Sequence, residues 1–451
     1  MTKNLLIQDL GNGLILRHGA PADAEAVAEF CARIHSDDGP EKPDLRVGTW
    51  ASDLLAKPHP TFQPGDYTLV EETATGRLVS MLNLIPQTWS YAGIPFEVGR
   101  PELVGTLPEF RGRGLVRLQF ETIHRWSAER GHQVQAITGI PYYYRQFGYE
   151  MTLRLGGGWL VPRAMVPPAP TEGGEPFKFR PAQAADLPFI AGLYDASCKR
   201  LMISCRWDET LWRYELEGKS PNNINRCEIV VIENPSGEPV GFLTTPFEPW
   251  SGSGRTMLPV YWLEAVPQVS YGALAPAVLR YLRDAGDAML RRLERPDGVT
   301  SVGLWLGGEH PVYEALSNQS KIVRPAYAWY IRVADLPGFI SHIAPALEQR
   351  LAGSAFHGHS GELKLSFYRR GLRLVFEQGR LATVENWAPF PQGHSGDAGF
   401  PDLTFLHLVF GHRSLQELRG FYPDCWVDKD EAAGLLEALF PKQHSDLWPV
   451  S

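Results

Sequence analysis

Cysteine is scarce. The chain of 451 residues holds five, Cys31, Cys198, Cys205, Cys227 and Cys425, an odd number with no C-x-x-C spacing. That argues against a disulfide framework or a zinc knuckle and fits a reducing compartment. Long apolar runs are missing too: no stretch approaches the ~20 uninterrupted apolar residues of a bilayer-spanning helix. The N-terminal Leu5-Leu6-Ile7 run breaks at Gln8-Asp9, too early for a secretory signal. The expected location is the cytoplasm. Basic charge is in deficit, 43 Lys and Arg against 51 Asp and Glu, for a formal charge of −8. No long basic stripe breaks that balance, which argues against nucleic acid and anionic membranes as partners. An acidic field would suit a cationic small substrate, but plain solubility accounts for it better. His357-x-His359 and His394 sit among Gly and Ser with no carboxylate at metal spacing, so they read as solvated histidines and no metal is expected.

What is present is ordinary globular material, 44% hydrophobic and 21% charged, long enough for two or three domains. Proline and glycine crowd residues 156–176, from Gly156-Gly157-Gly158 to Pro176, which reads as a linker or covering loop. A second boundary is expected across 351–361, where Gly, Ser and His cluster. The division is therefore 1–155, the 156–176 segment, 177–350 and 351–451. A weak repeat links the two larger units. Leu14-Ile15-Leu16-Arg17 before Pro21-Ala22-Asp23 resembles Phe177-Lys178-Phe179-Arg180 before Ala184-Ala185-Asp186, and Tyr144-Arg145-Gln146-Phe147 has a counterpart in Tyr313-Glu314-Ala315-Leu316. Two copies of one α/β unit is the economical reading. The last hundred residues differ: strand-like runs at 363–368, 372–376 and 381–384 read as a meander, and 405–418 and 429–439 as helices, giving an α+β unit.

The informative stretch is Glu102-Leu103-Val104-Gly105-Thr106-Leu107-Pro108-Glu109-Phe110-Arg111-Gly112-Arg113-Gly114-Leu115-Val116. An apolar strand ends at Pro108, a glycine turn follows, and a helix with Val116, Phe120 and Ile123 on one face ends before Gly131. Strand, glycine turn and helix is a phosphate-binding arrangement, because a helix start leaves N–H groups unpaired and carries about half a positive charge. Gly112 and Gly114 let the backbone approach a ligand closely, and Arg111, Arg113 and Arg117 add charge for a pyrophosphate.

This stretch resembles motif A of the GNAT superfamily of N-acetyltransferases, with Arg111 and Gly114 matching and Val116 where the superfamily usually has Gly or Ala. Arg113-Gly114-Leu115-Val116 is similar to the loop of the enhanced intracellular survival (Eis-like) family. Tyr144-Arg145-Gln146-Phe147-Gly148-Tyr149 is similar to that family's Tyr-Gly-x-Phe-Gly-Tyr. The resemblance implies tandem GNAT folds, mixed splayed sheets flanked by helices, and a C-terminal sterol-carrier-like α+β domain. The first copy would be active. The second, with Val266-Pro267-Gln268-Val269-Ser270-Tyr271-Gly272 in place of the loop, would not bind CoA.

It further implies acetyl transfer from acetyl-CoA to a primary amine, of a cationic small molecule or a lysine, within a ternary complex. The backbone of Val104, Gly105 and Thr106 would hold the pantetheine. Arg111, Gly112, Arg113, Gly114, Leu115, Val116 and Arg117 would take the pyrophosphate, and Gly139 and Ile140 would flank the carrier arm. Tyr144 would protonate the leaving thiolate, a phenol near ~10 being closely matched to a thiol near ~8.5; Tyr142, Tyr143 and Tyr149 compete for the role. The terminal carboxylate of Ser451 would be the base; Asp37-Asp38, just before Gly39-Pro40, read instead as a solvated turn. A homo-oligomer, with a hexamer as one form, belongs to the same resemblance. Trp212, Trp250, Trp262, Trp305 and Trp329 read as core or interface packing. Two alternatives stay open: a tandem enzyme of the N-myristoyltransferase type using a longer acyl-CoA, and a non-catalytic CoA- or lipid-binding protein.

Overall fold

The computed structural model of the chain describes residues 5–252, 254–295, 297–390 and 395–451; His394 lies outside them. Its N-terminal part is built on strands β1 (Leu6–Gly11), β2 (Leu14–His18), β3 (Tyr67–Glu72), β4 (Arg77–Tyr91), β5 (Ile94–Thr106), β6 (Val134–Ile137) and β7 (Glu150–Leu155). These form one mixed sheet in the order β1-β2-β3-β4-β5-β6, then the distant strand Tyr327–Arg332, then β7. β4 is buried almost throughout because both its faces are covered. On one face Met81 and Ile85 meet Val27 of helix α1 (Ala24–Ile34) and Trp50 and Leu54 of α2 (Leu45–Ala56). On the other, Leu82 and Leu84 meet Phe120 and Ile123 of α3 (Leu115–Glu129). Gln119, fully buried on α3, ties that helix down, accepting from Ser80 Oγ at 2.6 Å and donating to the Thr68 carbonyl at 3.0 Å.

A second α/β unit follows, with a four-stranded and a five-stranded sheet. The repeat seen in the sequence has a physical basis. Arg17 pairs with Asp23 at 2.7 Å and Glu71 at 2.6 Å; Arg180 pairs with Asp186 at 2.7 Å and Glu233 at 2.6 Å. Each aspartate also accepts from the backbone N–H three residues earlier, Ala20 and Gln183, at 2.8 Å. The same two-strand, one-turn clasp is thus built twice.

The units exchange strands. Tyr327–Arg332 inserts between β6 and β7, while strand β8 (Gly158–Pro162) leaves the first unit to pair with Ser301–Leu304 and Ile322–Arg324. This corrects the reading of 156–176 as linker, since its Gly158–Pro162 portion is a central strand. Its buried Leu160 and Val161 were obscured in sequence by the flanking glycines and prolines. The boundary expected at 351–361 also shifts. Helices Leu336–His342 and Ala344–Ala352 lie against strand Arg380–Trp387 of the C-terminal five-stranded sheet, so the Gly-rich stretch is a turn inside that unit. The helix expected at 405–418 is broken, with α-helical pieces at Leu406–Val409 and Leu415–Phe421. Gly411, at φ +62°, turns the chain between them. Of the tryptophans, Trp212, Trp262 and Trp329 are buried and Trp305 half-buried, whereas Trp250 is exposed and spends its N–H on Tyr261 at 2.7 Å. No helix of the described residues is long and apolar enough to cross a membrane.

Several histidines are kept neutral inside these layers. Burial pushes His59, His132 and His310 down to about 4, and His124 and His412 to about 3. Their unfolded values lie near ~6.5, so unfolding takes up protons between pH 6.5 and about 4, and stability is lost as pH falls through that window. Glu264 and Asp446, raised to about 7 by burial, act in the opposite sense but are fewer. Calorimetric Tm is therefore expected to fall steadily from pH 6.5 to 4.5; a flat Tm would contradict it.

Candidate active site

β5 and β6 run parallel but pair only at Val98–Val134 and Gly99–Gln135. On its other edge β6 pairs with Tyr327–Arg332, and past Gly99 β5 diverges from β6. Against β4, β5 carries one extra residue between Glu102 and Gly105, a bulge in which Leu103 is left-handed at φ +54°. A leucine held there costs on the order of 1–2 kcal/mol. It is retained because it turns β5 away from β6, leaving an edge of backbone amides and carbonyls facing a gap.

That gap is a cavity of about 760 Å³. Its walls include every residue expected at a cofactor site: Val104, Gly105, Thr106, Arg111, Gly112, Arg113, Gly114, Leu115, Val116, Arg117, Gly139 and Ile140, together with Tyr144. Gly112 (φ +74°) and Gly114 (φ +77°) are both left-handed, and nothing lies within 4 Å of where a Cβ would stand on either. Gly114 caps α3 without a side chain, so the first amides of a 15-residue helix stay free. The second unit differs at the matching point: Ser270 caps helix Tyr271–Arg292 with its own hydroxyl, accepting from Gly272 N–H at 3.1 Å.

Three exposed arginines surround the turn. Arg111 donates to the Thr106 carbonyl at 3.2 Å, Arg113 to the Glu109 carbonyl at 3.1 Å, and Arg117 to Gln146 Oε1 at 3.1 Å. None is paired with a carboxylate among the described residues, so their charge is available. Val116 is half-buried against the Phe120–Tyr144 cluster, which turns part of its bulk to the core.

Tyr144 sits on a 3₁₀ turn, Tyr143–Phe147, with its ring against Tyr330 at 5.5 Å and Phe120 at 6.0 Å. Its hydroxyl meets the Ile140 backbone and lies 3.7 Å from the position of a Cβ on Gly139. Burial, and then the charge of Glu102, push the phenol well above its ordinary value. The close match to a thiol expected from unperturbed values is thereby lost. Of the competing tyrosines, Tyr143 also lines the cavity, Tyr142 is exposed, and Tyr149 is buried on His124 at 2.9 Å.

Ser451 is buried but is not part of the cavity wall. Its hydroxyl accepts from Lys219 Nζ at 3.1 Å, and the Val450 carbonyl accepts from Arg100 at 2.7 Å and Gln87 at 2.9 Å. Arg100 in turn holds Glu102, a wall residue, at 2.5 Å. Asp37 and Asp38 are exposed. Two titratable wall residues had no role in the sequence reading: Glu102, which opens the informative stretch, and His35. Burial raises the Glu102 carboxyl, against the opposing pull of Arg100. His35 ends α1, engages the Leu103 backbone and is pushed below its ordinary value by burial, while its shielded Nε2 has no partner among the described residues. Neither carried a motif, because each acts through the bulge that brings Leu103 inward.

Comparison with known proteins agrees with this geometry. Residues 21–152 match the family described as Acetyltransferase (GNAT) domain. That is an acyltransferase domain. No curated protein matches the chain in sequence. Among solved structures, a GCN5-related N-acetyltransferase from Kribbella flavida superposes with TM-score 0.61 at 18% identity, covering 96% of this chain and 97% of that one. One from Anabaena variabilis gives 0.60 at 13% identity, covering 96% and 99%. Eis1 from Mycobacterium abscessus gives 0.55 at 15% identity, covering 97% and 99%. The whole chain therefore has the fold of these GNAT proteins. Among the described residues no group of His, Cys, Asp and Glu is arranged to hold a metal.

Proposed function

We propose that the chain is an N-acetyltransferase that moves the acetyl group of acetyl-CoA to a primary amine by direct transfer in a ternary complex. The observation that carries this is the single cavity joining the free start of α3, the unpaired edge of β5 and the Tyr144 hydroxyl. Arg111, Arg113, Arg117 and the α3 amides receive the pyrophosphate. The backbone of Val104, Gly105 and Thr106 takes the pantetheine amides as a further strand would, with Gly139 and Ile140 opposite.

The amine lone pair attacks the thioester carbonyl carbon, and the C–S bond breaks as the tetrahedral intermediate collapses. The leaving thiolate takes the Tyr144 proton. The proton shed by the attacking nitrogen goes to His35, a wall residue whose imidazole burial keeps neutral. This reading takes the base from the cavity wall and gives Ser451 no direct part.

Thiol release from acetyl-CoA, measured with aminoglycoside, polyamine and lysine-peptide acceptors, tests the reading. Amine-dependent release is expected; none with any acceptor would reduce the cavity to a binding site, and preference for myristoyl-CoA would reassign the acyl group. For His35, kcat/KM is expected to fall as pH drops below the ordinary histidine value near ~6.5, since protonation removes the base. His35→Gln should lower kcat by about 10²-fold and abolish that acid limb. A limb unchanged in His35→Gln would assign it elsewhere.

A further inference from the structure

A second chamber, of about 620 Å³, lies where the exchanged strands cross, and the acetyl-transfer reading leaves it unused. Its walls come from β7, from the strand pair around 323–327, and from the C-terminal helices. Arg145, Arg154, Arg324 and Arg413 line it, and no aspartate or glutamate does. Arg145 and Arg413 are each matched from behind, by Glu150 and Glu417. Arg154 and Arg324 have no carboxylate partner among the described residues; Arg324 lies over the Trp305 ring at 3.8 Å. Burial lowers the Arg324 guanidinium from its ordinary value, the sign of a cation short of a counter-ion.

The unexplained glycines belong to this chamber. A Cβ on Gly156 would stand 3.3 Å from Arg324 Nη1, and one on Gly308 would stand 3.0 Å from Arg154 Nη1. Gly157 (φ +90°) lets the backbone pass so near Ala326 that a Cβ would meet it at 2.9 Å. The glycines thus make room for both guanidiniums at the chamber wall. Beside them, Val323, Tyr327 and Phe421 present apolar surface, 66%, 39% and 63% exposed. His412 also faces in, but burial drives it to about 3, so the charge at neutral pH is that of the arginines. The volume falls within the usual range for small-molecule sites, about 300–1,000 Å³.

We propose that this chamber is a second ligand site for an amphipathic organic anion, a carboxylate or phosphate head received by Arg154 and Arg324 and an apolar body laid along Val323, Tyr327 and Phe421. The fork of a guanidinium suits either oxyanion.

Calorimetric titration of the full chain with octanoate, octyl phosphate, octanol and inorganic phosphate tests it. The two octyl anions should bind, and octanol and inorganic phosphate should each bind at least about tenfold more weakly than the better anion. The tighter of octanoate and octyl phosphate identifies the head group. Arg154→Gln and Arg324→Gln should each weaken that anion about tenfold or more, with KM for acetyl-CoA unchanged. Arg154→Lys, which keeps the charge, should lose less than Arg154→Gln. Octanol binding as tightly as the anions, anion affinity unmoved in both glutamine variants, or no binding of either anion would overturn the proposal.

Discussion

Tyr144→Phe is expected to lower kcat for acetyl transfer by roughly 10²–10⁴-fold, with KM for acetyl-CoA unchanged within about twofold. The ring packs among Phe120, Tyr143 and Tyr330, contacts that phenylalanine reproduces, so Tm should stay close to wild type. What is removed is the hydroxyl beside Ile140 and Gly139. Burial and the neighbouring Glu102 hold that hydroxyl protonated, so it is available as an acid throughout the range in which amines become nucleophilic. It releases its proton only against a thiolate forming next to it, and it should contribute no alkaline limb to kcat below its ordinary value near ~10. Burst-free steady-state kinetics at saturating acetyl-CoA separate the two parameters. Undiminished kcat would remove Tyr144 as the acid.

Much of this site was legible because it is local. The glycine turn, the helix start and the tyrosine turn are each contiguous in sequence, and 3.6-residue periodicity over Val116, Phe120 and Ile123 sufficed to place α3. The repeat was legible for the same reason: Arg17 with Asp23, and Arg180 with Asp186, lie six residues apart. What escaped is non-local. The exchange of β8 for Tyr327–Arg332 depends on pairings across more than a hundred residues, and no periodicity in either strand announces its partner. His35 escaped, and Glu102 was read without a role, because both engage the backbone of one bulged residue, Leu103, whose left-handed conformation is improbable for leucine. Tyr144 was singled out by motif, but the upward push on its phenol was not legible, since burial is a property of the packed sheet and not of the word around it.

Gly114→Val is expected to raise KM for acetyl-CoA about ten- to a hundredfold, with kcat at saturation changed only a few-fold. Two effects must be separated. Any L-residue at φ +77° strains the backbone, by about 1–2 kcal/mol, and that alone lowers Tm. The side chain itself meets no protein atom within 4 Å of its Cβ; it projects into the cavity where the pyrophosphate is proposed to reach the α3 amides. Gly131 supplies the matched control. It lies just beyond the other end of α3, at φ +73°, also with nothing within 4 Å, and it does not line the cavity. Gly131→Val should therefore lower Tm by a similar amount and leave KM for acetyl-CoA alone. Equal KM in the two variants would mean that the helix start is not the phosphate site, because strain common to both would then account for everything observed.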